Sequence, residues 1–216
     1  LITEKAAAVR AKQHTVYKNA AGKRLPGVTT VLGVLAKPAL IPWANNLGLQ
    51  GITVGKYVDV LAQIGTIAHE MVTAHVKNEK FDTTDLAADL IDKAENSFLS
   101  YLEWEKQHKI EPILCEVPLV SEKWQYGGTV DFYGKIDGVL TLKDYKTSKA
   151  IWPEHFYQVA AYRELLEESG KVVDAVGILQ IGRSEDEGFS EVVIADSTTE
   201  RQIFFACLEL HRLMKK

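Results

Sequence analysis

Two cysteines occur in 216 residues, Cys115 and Cys207, far apart and without any Cys-x-x-Cys pair. The missing Cys-x-x-Cys pair argues against a structural zinc site, and a four-cysteine iron–sulfur cluster needs more thiolates than two. So few cysteines make a reducing, cytoplasmic setting the default expectation. No apolar run is long enough to span a bilayer, so no membrane partner is expected. No signal peptide is visible in a chain that starts at Leu1. Internal repeats, low-complexity tracts and long linkers are also missing. The helical zinc-protease pattern fails too. His69-Glu70 is followed next by His75, so the required histidine pair four positions apart is absent.

What is present is a chain with 46% hydrophobic residues, enough to bury a sizeable core. Its length fits one domain, or one domain with a small lobe. The net charge of −4 conceals an asymmetry. Residues 1–60 hold Lys5, Arg10, Lys12, Lys18, Lys23, Arg24, Lys37 and Lys56 against Glu4 and Asp59, a local charge of +6. The rest of the chain is correspondingly acidic. A basic segment on an acidic body is either a surface that faces phosphates or a solvated arm.

The periodicity divides the chain near Pro112. Before it, residues 13–26 suggest a short hairpin around "NAAGK", and 28–36 a short helix stopped by Pro38. A further piece surrounds Trp43. A helix is expected over 56–77, with Val58, Ala62, Gly65, His69, Val72 and Val76 along one stripe. Another is expected over 84–107, with Leu86, Leu90, Ala94, Phe98 and Leu102 along its apolar face. After Pro112 come strands at 113–121, 128–136 and 139–147, a helix at 154–168 ending at Gly170, strands at 172–182 and 189–195, and a helix from about 198. Ser197 and Glu200 have capping-box spacing at the start of that last helix. The expected class is mixed α/β, a sheet flanked by helices. One domain is expected over 1–216, with a basic segment and helical lobe over 1–110 and an αβ core over 111–216.

Asp137-Gly138 is a two-residue hairpin signal, because both central residues of a type I′ turn need positive φ. Pairing Ile136 with Val139 then places Asp131 opposite Asp144. Like charges in such a pair repel, by about 0.2–1 kcal/mol when exposed and more when buried. A divalent cation between the carboxylates relieves this. So does solvation with a nearby lysine, and strand alternation puts Lys146 on the face of Asp144. Both readings stand on the residues alone.

Asp131 followed by Asp144-Tyr145-Lys146 resembles the signature of the PD-(D/E)XK nuclease superfamily. "GGTVD" with "LKDYKT" is similar to its branch containing the RecB nuclease domain, Cas4-type exonucleases and the mitochondrial genome maintenance exonuclease. Val130 stands where the superfamily name has Pro, as is common in that branch. "QVAAY" places Gln158 and Tyr162 one helical turn apart and resembles the branch's Q-x-x-x-Y motif. "GTIAHE" offers His69 in the place of a RecB-type metal-ligating histidine. "LPGVTTVL" resembles a stretch of phage-type and mitochondrial exonucleases, with Gly27 for the usual Ser. The likeness spans about residues 25–170.

The resemblance implies a restriction-endonuclease-like core that hydrolyses DNA phosphodiester bonds with Mg²⁺ or Mn²⁺. Asp131, Asp144 and Lys146 would be catalytic. His69, Asp131, Asp144 and the Tyr145 carbonyl would hold the metal. Gln158 and Tyr162 would position the strand, Tyr162 by stacking on a base or sugar. Glu116, on the preceding strand, is a further candidate acid. The expected substrate is single-stranded DNA or DNA ends, in phage recombination or bacterial DNA repair. A structure-specific endonuclease and an inactive nucleic-acid-binding module of the same fold are the alternatives.

Overall fold

The computed structural model describes residues 15–215. The expected hairpin positions 13–14, and Lys5, Arg10 and Lys12 of the basic segment, lie outside the described residues. Four helices come first: α1 (Val28–Leu32), α2 (Leu40–Leu49), α3 (Val54–Val76) and α4 (Ala88–Glu105). Then follow β1 (Ile110–Ser121), β2 (Tyr126–Ile136), β3 (Val139–Lys146), α5 (Pro153–Glu168), β4 (Ala175–Ile181), β5 (Phe189–Ile194) and α6 (Thr198–Leu213). The five strands form one sheet in chain order. Only the β3–β4 pair is parallel. A parallel neighbour needs a crossover, and α5 is that crossover. The architecture is the expected mixed sheet flanked by helices.

Both faces of the sheet are covered. On one, α1, α5 and α6 bury Val28, Val31, Val159, Leu165 and Phe204 against Val130, Leu142, Val176 and Ile178. On the other, Val72 of α3 and Tyr101 and Trp104 of α4 cover Phe132, Tyr145, Leu179 and Ile181. β4 is buried along its whole length, and its sequence AVGILQI is a continuous apolar run broken only by Gln180, not an alternation.

Local chemistry explains the boundaries. The turn between β2 and β3 has Asp137 at φ 52° and Gly138 at φ 86°, so both central residues take the positive φ of a type I′ hairpin. Pro153 opens α5 at a position where a missing N–H costs nothing. Two expectations differ. In α3 the stripe through Val58 and Ala62 is exposed. The buried residues are Ile64, Ile67, Ala68, Met71 and Val72, because α4 covers one flank of the C-terminal half and the sheet the other. The Ser197/Glu200 capping box does not form. Asp196 caps instead, its Oδ1 accepting from the Thr198 N–H at 2.9 Å and the Thr198 hydroxyl at 2.6 Å. Ser197 Oγ faces Arg163 Nη1 at 3.5 Å.

Candidate active site

The β2–β3 ladder runs from Ile136–Val139 to Phe132–Lys143. Asp131 and Asp144 are the next residues along, in the expected register. There the Asp131 side chain takes over from the ladder, and its Oδ2 accepts the Tyr145 N–H at 3.0 Å. On the other side, β1 pairs Cys115 with Phe132 and Val117 with Val130. Glu116 lies between them at φ 52°, a conformation a non-glycine residue adopts only under constraint. The same register sets Glu116 beside Asp131. Three neighbouring strands thus contribute Glu116, Asp131 and Asp144 at one level of the sheet.

His69 reaches this row from α3. Its Nδ1 lies 3.5 Å from Asp131 Oδ2 and 3.9 Å from Glu116 Oε1. One ligand atom from each of His69, Glu116 and Asp131 lies within 4.8 Å of the others. Atoms about 2.0–2.6 Å from a shared cation can be no more than about 4–5 Å apart, so the trio fits a divalent ion after small rotations. Two hard oxygens and one imidazole suit Mg²⁺ or Mn²⁺. Burial alone would lower the His69 pKa, but the two carboxylates outweigh it and raise it to about 9. Burial also opposes ionisation of Asp131. His69, Lys146 and the Tyr145 amide overcome it and hold this carboxyl below its ordinary range.

Asp144 stands apart from the trio. It is only 1% exposed, and its Oδ2 lies 2.6 Å from Lys146 Nζ. Burial foremost, and the Asp131 charge, push its pKa up to about 6 against the pull of Lys146. That ion pair lacks hydrogen-bond geometry, so the buried Asp144 Oδ2 has no hydrogen-bond partner among the described residues, whereas Lys146 Nζ donates to Gln158 Oε1 at 2.9 Å and Gln158 Nε2 donates to the Tyr162 hydroxyl at 2.6 Å. A continuous chain therefore runs from Asp144 through Lys146 and Gln158 to Tyr162. Its spacing comes from α5, where residues four apart share a face.

Tyr162 is not placed to stack on a base. It is 5% exposed, and its ring lies on Gly128, where an added Cβ would come within 2.4 Å of Cε1. The Tyr145 side chain turns into the core against Tyr101, at 5.6 Å between ring centroids, and edge-on to His69. His155, near the start of α5, accepts the Trp152 N–H through Nδ1. Burial, and then Lys146, press its pKa down to about 4.

Most of these polar groups open into one cleft of about 1020 Å³. His69, Glu116, Asp131, Asp144, Lys146, Gln158 and Tyr162 line it. So do Lys23 and Arg24 of an N-terminal hairpin closed by the antiparallel Lys18–Arg24 bridge, His211 and Arg212 from the last turn of α6, and Lys215 just beyond it. The hairpin bases belong to the basic N-terminal segment. The α6 residues escaped the sequence reading, because bases in a last helical turn are ordinary partners of the helix dipole.

No family model and no curated protein matches the chain. Among solved structures it is similar to an alkaline exonuclease, LHK-Exo, from Laribacter hongkongensis. That match has 12% identity and a TM-score of 0.37 over 88% of this chain and 91% of that one. A structure of LHK-Exo in complex with dAMP aligns at 15% identity and a TM-score of 0.33, covering 73% and 87% of the two chains. A protein crystallised as SSO0001 aligns at 15% identity and a TM-score of 0.31, covering 59% of this chain. The chain spans 63% of that protein's length, under two thirds. Likenesses this distant carry no functional weight.

Proposed function

We propose that the chain is a metal-dependent nuclease of the PD-(D/E)XK type that hydrolyses DNA phosphodiester bonds, acting on single strands or ends. The observation that carries this reading is the His69–Glu116–Asp131 trio beside the Asp144–Lys146 pair, in one cleft with basic side chains on its walls. His69, Glu116 and Asp131 would hold Mg²⁺ or Mn²⁺. Asp144 and the Tyr145 carbonyl would join them once Asp144 is released from Lys146. A cation held there would supply a lowered pKa for a coordinated water and neutralisation of charge on the phosphate.

The remaining work falls to the chain's own groups. The Lys146 ammonium, held between Asp144 and Gln158, is aimed to donate to the attacking water or to a non-bridging phosphate oxygen. The water oxygen bonds to phosphorus as its proton passes to bulk solvent, the bond to the departing sugar oxygen breaks, and that oxygen takes a proton back from solvent. Gln158 fixes the Lys146 rotamer, and Tyr162 fixes Gln158. His69 must give up its proton to become a ligand, which couples metal loading to pH.

One observation favours the inactive binding module. Asp144 is engaged by Lys146 and not by the trio, so metal binding must compete with an existing ion pair. Digestion of end-labelled single- and double-stranded DNA with Mg²⁺, Mn²⁺ or chelator separates the two. The nuclease reading predicts metal-dependent loss of label that a chelator abolishes and that Lys146→Ala lacks. DNA binding without cleavage under every metal condition would leave the binding module. A circular single strand left intact would make the enzyme an exonuclease.

A further inference from the structure

We propose that the end of the cleft remote from Asp131 is a second anion site, which takes backbone phosphates of the same strand a few nucleotides from the bond being cut. It is built by Lys23 and Arg24 of the hairpin and by His211, Arg212 and Lys215 at the end of α6. The inference rests on the nuclease reading for the identity of the strand, not for the site itself.

The hairpin is fastened, not loose. The Tyr17 and Thr129 hydroxyls share a hydrogen bond of 2.9 Å. Asn19 Nδ2 donates to Gln125 Oε1 at 2.8 Å, and the Ala20 N–H donates to Glu122 Oε1 at 2.7 Å. Tyr17 covers Gly127 so closely that a Cβ there would sit 2.4 Å from its Cγ. Lys23 and Arg24 are thereby held at the β1–β2 turn. α6 meets the same turn, because Arg212 Nη2 donates to the Trp124 carbonyl. Bases from two ends of the described chain converge on one place by separate hydrogen bonds.

Three features point to an anion. Among the described residues, Lys23, Arg24 and Lys215 have no acidic partner, while Arg212 Nη1 has Glu209 at 3.7 Å. His211 is 8% exposed, and its buried Nε2 has no hydrogen-bond partner among the described residues. A buried ring nitrogen in that state is costly unless an outside group completes it. The lining also changes sign, from the acids and His69 around Asp131 to Lys23, Arg24, Arg212 and Lys215 on segments tied to the β1–β2 turn, where burial and then Lys215 and Arg212 lower the His211 pKa. From Asp131 back to Tyr126, β2 spans about 17 Å at roughly 3.3 Å per residue. A single strand, more extended than the 3.4 Å axial rise of duplex DNA, covers that length in fewer than about five nucleotides. A strand with its scissile phosphate at Lys146 would lay later phosphates on the basic end.

The test is binding as a function of strand length, read by fluorescence anisotropy with Ca²⁺ in place of the activating metals. The wild-type affinity is expected to rise at least tenfold between single strands of about 4 and about 12 nucleotides, with most of the gain once the far end is reached. Lys23→Ala/Lys215→Ala should flatten that gain to within about twofold and lower the salt slope by about one to two. His211→Gln should reduce the gain without flattening it. An unchanged gain in the double variant would overturn the proposal. Inorganic phosphate that binds the wild type tightly while strand length has no effect would also overturn it, leaving a free-anion site. Wild-type cleavage of the same strands with Mn²⁺ tests the other reading separately. Cleavage with an unchanged gain retires only the strand track. No cleavage with a flattened gain retires only the nuclease.

Discussion

At the residue scale, the account depends on the protons and charges of four side chains. Asp144 is almost fully buried, with its pKa pushed up to about 6 by that burial, so its ionised form works against folding at neutral pH. Asp144→Asn is therefore expected to leave the chelated protein as stable as wild type, or more stable by on the order of 1 kcal/mol, while abolishing cleavage. Thermal melts and a cleavage assay on the same preparation check both halves. His69 gives a pH dependence of definite sign. Its folded pKa is raised from 6.5 to about 9, so the folded state holds the proton more tightly. The stabilisation is complete below pH 6.5 and is lost as pH rises through about 9. Metal-free protein should melt several degrees lower at pH 9 than at pH 6.5, at roughly 2–4 °C per kcal/mol, and His69→Gln should lack most of that descent. Both aspartates, the lysine and the histidine were legible from motif and register. The side-chain state of Asp144 was not. Strand alternation gives a face, but it does not say whether a carboxylate turns to a neighbouring lysine or to an ion.

At the element scale, β2 is where packing and chemistry meet. Gly127 and Gly128 seat Tyr17 and Tyr162, with too little space for a Cβ at either position. Gly128→Ala should force Tyr162 aside, cost about 1–3 kcal/mol, and reduce cleavage through Gln158 and Lys146. Denaturation and kinetics together would show whether the stability and activity losses travel with that one ring. Elsewhere, Lys143 is 1% exposed, packs beneath Trp104 and pairs with Glu191. Burial lowers its pKa despite the partner. Glu191→Gln removes that partner from a buried cation and should destabilise by about 3 kcal/mol. The strands, the Asp137-Gly138 turn and α5 could be read because each rests on local periodicity or φ preference. The buried arc of α3 could not, since it depends on α4 and the sheet closing from two sides. The left-handed Glu116 was equally hidden, because nothing about an isolated glutamate announces positive φ.

At the scale of the whole molecule, a net charge of −4 coexists with a cleft whose far end is basic. DNA affinity should therefore fall steeply as salt rises, with a slope of at least about two on a log–log plot. The sequence located part of this surface in the N-terminal bases. It missed the contribution of α6, which reaches the cleft only through long-range packing. The central claim is that His69, Glu116 and Asp131 hold a divalent cation, and calorimetric titration of the metal-free protein with Mn²⁺ near pH 7.5 tests it most directly. The account predicts saturable binding that is lost in Asp131→Asn. Because His69 is protonated until it becomes a ligand, about one proton should be released per ion, seen as a dependence of the heat on the buffer's ionisation enthalpy. No saturable heat, or a titration unchanged in Asp131→Asn, would contradict it.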